Sequence, residues 1–119
     1  MRRDDFEQVI ERALSELPEW VASLMDNVLV VAMDGPPPED KRGDCGEELL
    51  GEYVGVSIPD RAADYWGVLP DEIRIYRLAH LDLGLSQTET EEEIRRTFLH
   101  ELGHYLGFSE KRLHQLGWD

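Results

Sequence analysis

The chain of 119 residues holds a single cysteine, Cys45, so no intramolecular disulfide can form and its thiol content does not point to an oxidising compartment. Basic side chains are scarce: 12 lysines and arginines stand against 26 aspartates and glutamates, a formal net charge of -14. A surface of that sign repels phosphate backbones and anionic headgroups, so neither nucleic acid nor membrane is an expected partner. Long apolar runs are missing as well. The opening Met1-Arg2-Arg3-Asp4-Asp5-Phe6 lacks an apolar h-region, and no stretch approaches the length that spans a bilayer. These absences predict a cytoplasmic protein. The length predicts a single domain over residues 1–119, with one hydrophobic core and no accessory domain.

There is no internal repeat, and the one compositional break is the stretch from Gly35 to Gly46 with Pro36-Pro37-Pro38. Before it, Phe6, Val9, Ile10, Ala13, Leu14 and Leu17 follow helical spacing. Pro18 stops that helix and suits the first turn of a shorter one carrying Trp20, Val21, Leu24 and Met25. Val28-Leu29-Val30-Val31-Ala32-Met33 is an unbroken apolar run of the kind expected for a strand buried on both faces. Period-two alternation predicts two more strands, Tyr53 to Ile58 and Glu72 to Tyr76, the last more polar and so expected at an edge. A short helical turn follows around Leu78 to Leu83.

Thr88 or Thr90 can cap a long helix after that, Thr90 and Glu93 having the spacing of a capping box. Glu89, Glu91, Glu92 and Glu93 suit its N-terminal dipole and read as structural. Two turns inside this helix comes His100-Glu101-Leu102-Gly103-His104, followed by Gly107 and Glu110. Histidines four apart lie on one helix face and can both give a ring nitrogen to one metal ion, with the intervening carboxylate beside it. A shuffled chain of this composition carries the bare pentapeptide about 2% of the time, and the extension to Gly107 and Glu110 cuts that to about 0.03%. Ile94, Phe98, Leu102 and Tyr105 fall on the opposite side from Thr97, His100 and His104, so the histidines do not face the core.

Gly107 can take positive φ, end the helix and turn the chain back. Glu110 is then placed as a third metal ligand, and equally as a first-turn residue of a new helix capped by Ser109 and stopped by Gly117. Three protein ligands leave one tetrahedral position for a water of pKa about 7, which marks a catalytic zinc site. Glu101 would accept that water's proton during attack on a carbonyl and deliver a proton to the leaving amine. Tyr53, Tyr76 and His114 are candidate donors to the oxyanion. His80 has no partner at ligand spacing and reads as a surface or helix-terminal residue. Trp20, Trp66 and Trp118 read as core or edge-of-core packing, and Cys45 as a weak candidate for an inhibitory thiolate.

The run from His100 to Glu110 resembles the aspzincin pattern H-E-x-x-H-x-x-G-x-x-D, and the chain as a whole resembles the small bacterial minimal zincins, metallopeptidase-like proteins. Further blocks carry the resemblance: Leu50-Gly51-Glu52-Tyr53-Val54-Gly55-Val56, Leu69 through Arg77, and Arg112 through Trp118. The likeness implies an α+β fold, a small mixed sheet packed on helices, with the two histidines on an active-site helix and one zinc ion. It also implies a substrate lying extended along an edge strand above the metal, and the Glu72 to Arg77 strand looks like that element. This chain departs from the pattern in carrying Glu110 where the aspartate stands, a side chain longer by one methylene.

The preferred expectation is a zinc metallopeptidase acting on a peptide or protein substrate, with His100, His104 and Glu110 as ligands and Glu101 as general base. The alternatives are a non-catalytic zincin scaffold that binds a protein partner, and a zinc amidase for a non-peptide substrate.

Overall fold

The computed structural model describes residues 1–37, 49–61 and 70–119. Cys45, Trp66, Leu69 and most of the Pro/Gly-rich stretch lie outside them. The order is α1 (Arg3–Ser15), α2 (Glu19–Ala22), β1 (Val28–Met33), β2 (Gly51–Val54), β3 (Asp71–Tyr76), α3 (Arg77–Leu81), α4 (Gln87–Leu106) and α5 (Glu110–Leu116), with a 3-10 turn at Ile58–Asp60. The fold is α+β, as expected, and the sheet is mixed. β3 pairs in parallel with β1, from Val28 opposite Asp71 to Met33 opposite Tyr76. On its other side it pairs antiparallel with β2, from Gly51 opposite Ile75 to Val54 opposite Glu72.

The polar strand is therefore central, not an edge. Alternation correctly marks Ile73 and Ile75 as its buried face. What it cannot show is that the remaining polar groups are partnered inside the protein: Arg74 pairs with Glu72 at 3.4 Å, and the Tyr76 hydroxyl bonds Glu52 at 3.2 Å. Conversely the unbroken apolar run is not buried on both faces. Among the described residues β1 lies at an edge of the sheet, and Leu29 is 53% exposed. The strand expected from Tyr53 to Ile58 is shifted to Gly51–Val54, because Gly55, at φ +150°, breaks the ladder and Ile58 opens the 3-10 turn.

α4 is the spine. Its fully buried Ile94, Phe98 and Leu102 belong to one core with Ile73 and Ile75 of β3 and Phe6, Val9, Ile10 and Ala13 of α1. Deleting a large side chain from such a core costs about 2–5 kcal/mol, so this packing fixes the rotation of α4 about its axis. α2 is only four residues long and leaves Trp20 48% exposed, so that tryptophan is not core. Trp118 is nearly buried and tilts against Phe108.

The helix starts earlier than expected. Ser86 is its N-cap, and Ser86 and Glu89 form the reciprocal capping box, while the Thr90 hydroxyl instead bonds the Ser86 carbonyl at 2.8 Å. His100 accordingly lies more than three turns inside α4. His80 is helix-terminal, in the last turn of α3, but not on the surface: it is 1% exposed, with Nδ1 2.7 Å from the Tyr76 carbonyl and Nε2 2.9 Å from Thr97 Oγ1.

Candidate metal centre

With the Ile94, Phe98, Leu102 and Tyr105 face held inward, His100 and His104 emerge one turn apart on the other side of α4. Tyr105 secures that rotation by donating to the Asp26 carbonyl at 2.5 Å and accepting from the Asp26 N–H at 2.9 Å. The two imidazoles meet at Nε2, 3.1 Å apart. Gly107, at φ +80°, ends the helix, and the Phe108 N–H closes back on the Gly103 carbonyl at 2.9 Å. The chain reverses, Ser109 caps α5 by accepting from the Arg112 N–H, and Glu110 is the first residue of that helix. Its carboxylate is thereby carried back, and the donor atoms of His100, His104 and Glu110 all lie within 4.8 Å of one another.

This donor set suits a divalent ion of intermediate softness, two neutral imidazoles and one carboxylate. A tetrahedral zinc with bonds of about 2.0–2.1 Å needs donors about 3.3 Å apart, close to the separation of the two imidazole nitrogens. Glu110 is exposed, so its side chain is free to close the remaining distance. His100 Nδ1 is buried and has no hydrogen-bond partner among the described residues. In ligating histidines that second nitrogen is the one that donates to a surrounding acceptor.

Glu101 lies between the histidines in sequence and points toward β2, its Cγ near the position a Cβ on Gly51 would take. Burial pushes its carboxyl up from the ordinary range, opposed by His104 and His100 and by a hydrogen bond from the Tyr53 main chain. Gly51 is required here. A Cβ would stand 2.6 Å from Thr97 Cγ2 and 2.8 Å from the Arg74 carbonyl oxygen, so only glycine lets β2 lie this close to α4. A recess of about 260 Å³ opens beside His100 and Glu101, bounded by Leu50, Gly51, Arg96 and Thr97.

The model of the zincin-like metallopeptidase family matches residues 25–118. The chain belongs to this family. No curated protein matches it. Among solved structures, a conserved hypothetical protein from Thermo thermophilus is similar along its whole length, with 26% identity over 99% of this chain and 100% of that one and a TM-score of 0.58.

The zincin-like fold thus brings four of the sequence-derived candidates together, His100, Glu101, His104 and Glu110. It does not bring the three candidate oxyanion donors there as free groups. The Tyr53 hydroxyl bonds Asp71 at 2.5 Å, and that of Tyr76 bonds Glu52, its pKa pushed up to about 12 first by burial and then by the Glu52 charge. His114 is exposed and pairs with Asp119 at 2.6 Å. Cys45 lies outside the described residues. Three contributors were not visible in the sequence: the Tyr53 main chain, Ser57, whose hydroxyl donates to the His104 carbonyl at 2.7 Å, and Gly103, against which α5 packs.

Proposed function

We propose that this zincin-like protein is a zinc-dependent metallopeptidase that hydrolyses peptide bonds of a peptide or protein substrate in the cytoplasm. His100, His104 and Glu110 hold one zinc ion, and Glu101 is the general base. The observation that carries this reading is the convergence of three donor side chains from two helices within 4.8 Å, with the half-buried carboxylate of Glu101 beside them. Zinc bound there supplies Lewis acidity and lowers the pKa of water to about 7.

Glu101 takes the proton of the attacking water and passes it to the leaving amine. Two opposed influences suit it to both transfers. Burial raises its proton affinity, while the histidines and the Tyr53 N–H favour the anion that must be present at the start. The substrate strand differs from the one expected. Because β3 is central, the edge strand beside the motif among the described residues is β2, and an extended peptide is received along its outer edge by the main-chain groups there other than the Tyr53 N–H, which Glu101 holds.

The deciding measurement is elemental mass spectrometry on protein purified without chelator or metal-affinity resin. One zinc per chain, absent from His104→Ala, is expected and would license peptide-library cleavage assays. Protein that takes up no metal when zinc is returned would overturn the reading.

A further inference from the structure

Asp71 begins the central strand, is not one of the three donor residues and is 3% exposed. Two side chains converge on one of its oxygens, Oδ2: the Tyr53 hydroxyl at 2.5 Å and the Arg61 guanidinium at 2.9 Å. The chain between those residues wraps the carboxylate closely, for a Cβ on Gly55 would overlap it. Asp71 therefore joins β2, which holds Tyr53, to the segment from Ser57 to Arg61.

Both joined segments end on the motif helix. From β2, the Tyr53 N–H bonds Glu101 and its ring meets that of Tyr105 edge-on at 5.9 Å. From the second segment, Ser57 donates to the His104 carbonyl, Pro59 lies against Gly107, and the Arg61 guanidinium stacks over Tyr105 at 5.2 Å. The register explains why the Tyr53 N–H is available. Tyr76 donates to the Leu50 carbonyl, so in the antiparallel pair Leu50, Glu52 and Val54 turn their main-chain groups toward β3 and Tyr53 turns its own outward.

We propose that Asp71 is a positioning residue for the candidate site. By gripping Tyr53 and Arg61 together it clamps β2 and the Ser57–Arg61 segment onto α4, so that Glu101 and the His104 turn are held from outside their own helix. A buried ion pair adds little net stability compared with apolar residues of the same shape, whereas it fixes orientation strongly. Here both of the side chains it grips, Tyr53 and Arg61, reach Tyr105 of the motif helix. The assignment rests on the zinc-peptidase reading for its functional meaning but not for its geometry.

The test compares Asp71→Asn and Tyr53→Phe with Val9→Ala, a core variant on α1 that touches none of these groups. In the metal-free protein, amide hydrogen exchange by NMR reads the Tyr53 N–H. We expect it to exchange at least tenfold faster in Asp71→Asn and Tyr53→Phe, and to be unchanged in Val9→Ala at matched global stability. Cobalt(II) titration then reads ligand geometry through the visible spectrum. The two clamp variants should bind cobalt about 10–100-fold more weakly with a displaced spectrum, the usual effect of losing a group that orients metal ligands. Tyr53 exchange in the clamp variants that matches wild type would overturn the proposal. Wild-type protein that binds no cobalt, with Tyr53 exchange still accelerated in the variants, would overturn the metal reading and leave Asp71 as the group that positions Glu101.

Discussion

Leu113 of α5 fills the notch that Gly103 leaves in α4: a Cβ on residue 103 would overlap Leu113 Cδ2 and stand 3.3 Å from its Cγ. Glu110 sits on α5 one turn before Leu113, so the depth of this notch sets how close its carboxylate comes to His100 and His104. Gly103→Ala raises helix propensity by about 1 kcal/mol but overpacks the contact, at a cost of about 1–3 kcal/mol. We expect a net loss of stability and, because α5 must move outward, zinc affinity at least tenfold weaker by calorimetric titration. Unchanged affinity would mean that α5 docking does not position Glu110.

The Glu110 side chain itself is tested by thermal shift. Zinc at about 100 times its dissociation constant stabilises the folded state by about 2.7 kcal/mol if it binds only that state. At the same zinc concentration, Glu110→Ala should lose most of the rise in Tm. Glu110→Asp should keep part of it, since the shorter side chain reaches from the same exposed first turn. A full rise in Glu110→Ala would remove Glu110 from the donor set and leave two histidines.

What could be read from the sequence was the part governed by local chemistry. The spacing of Ile94, Phe98, Leu102 and Tyr105 marked one buried face of α4, though not the burial of Thr97 on the side of the histidines, and Gly107, Ser109 and Gly117 marked its end and the limits of α5 through φ and capping rules. Local rules failed where two solutions share one pattern. Ser86 with Glu89 and Thr90 with Glu93 have the same capping-box spacing, and only the first is used. They failed also where partners are distant in sequence. Asp71 meets residues 10 and 18 positions away, and His80 meets Thr97 across two helices. Strand order lay out of reach for a related reason: side-chain polarity reports solvent contact, and the polar groups of β3 are satisfied by neighbours instead of water.

Replacing Glu101 by glutamine separates catalysis from architecture. Gln keeps the length of the side chain and an oxygen able to accept from the Tyr53 N–H, but it cannot take a proton. For a peptide that the zinc-loaded wild type cleaves, Glu101→Gln should lower kcat by about 10²–10⁴-fold. Zinc stoichiometry and Tm should be retained. Full turnover in the variant would exclude Glu101 as the base and return the mechanism to an unassigned group.

His80 gives a pH dependence whose sign can be worked out. A carbonyl can only accept, so Nδ1 carries the proton toward Tyr76, while the Thr97 hydroxyl donates to the Glu93 carbonyl at 2.9 Å and its oxygen lies 2.9 Å from Nε2. Burial beneath α4 and beside the Phe6 ring, 5.8 Å away, lowers the His80 pKa below its usual 6.5, while the Tyr76 carbonyl and the Glu93 charge oppose the shift in part. Between the folded value and about 6.5 the unfolded chain binds a proton that the native protein does not, so stability falls as pH drops through that window. This contribution is complete above about pH 6.5, falls by at most about 1.4 kcal/mol per pH unit, and levels off below the folded pKa, where both states are protonated. His80→Gln removes the titration, and its Tm should decline less steeply than that of wild type from pH 7 to pH 5, although it starts lower because a buried contact is lost. Parallel Tm profiles would show that His80 is protonated equally in the folded and unfolded states.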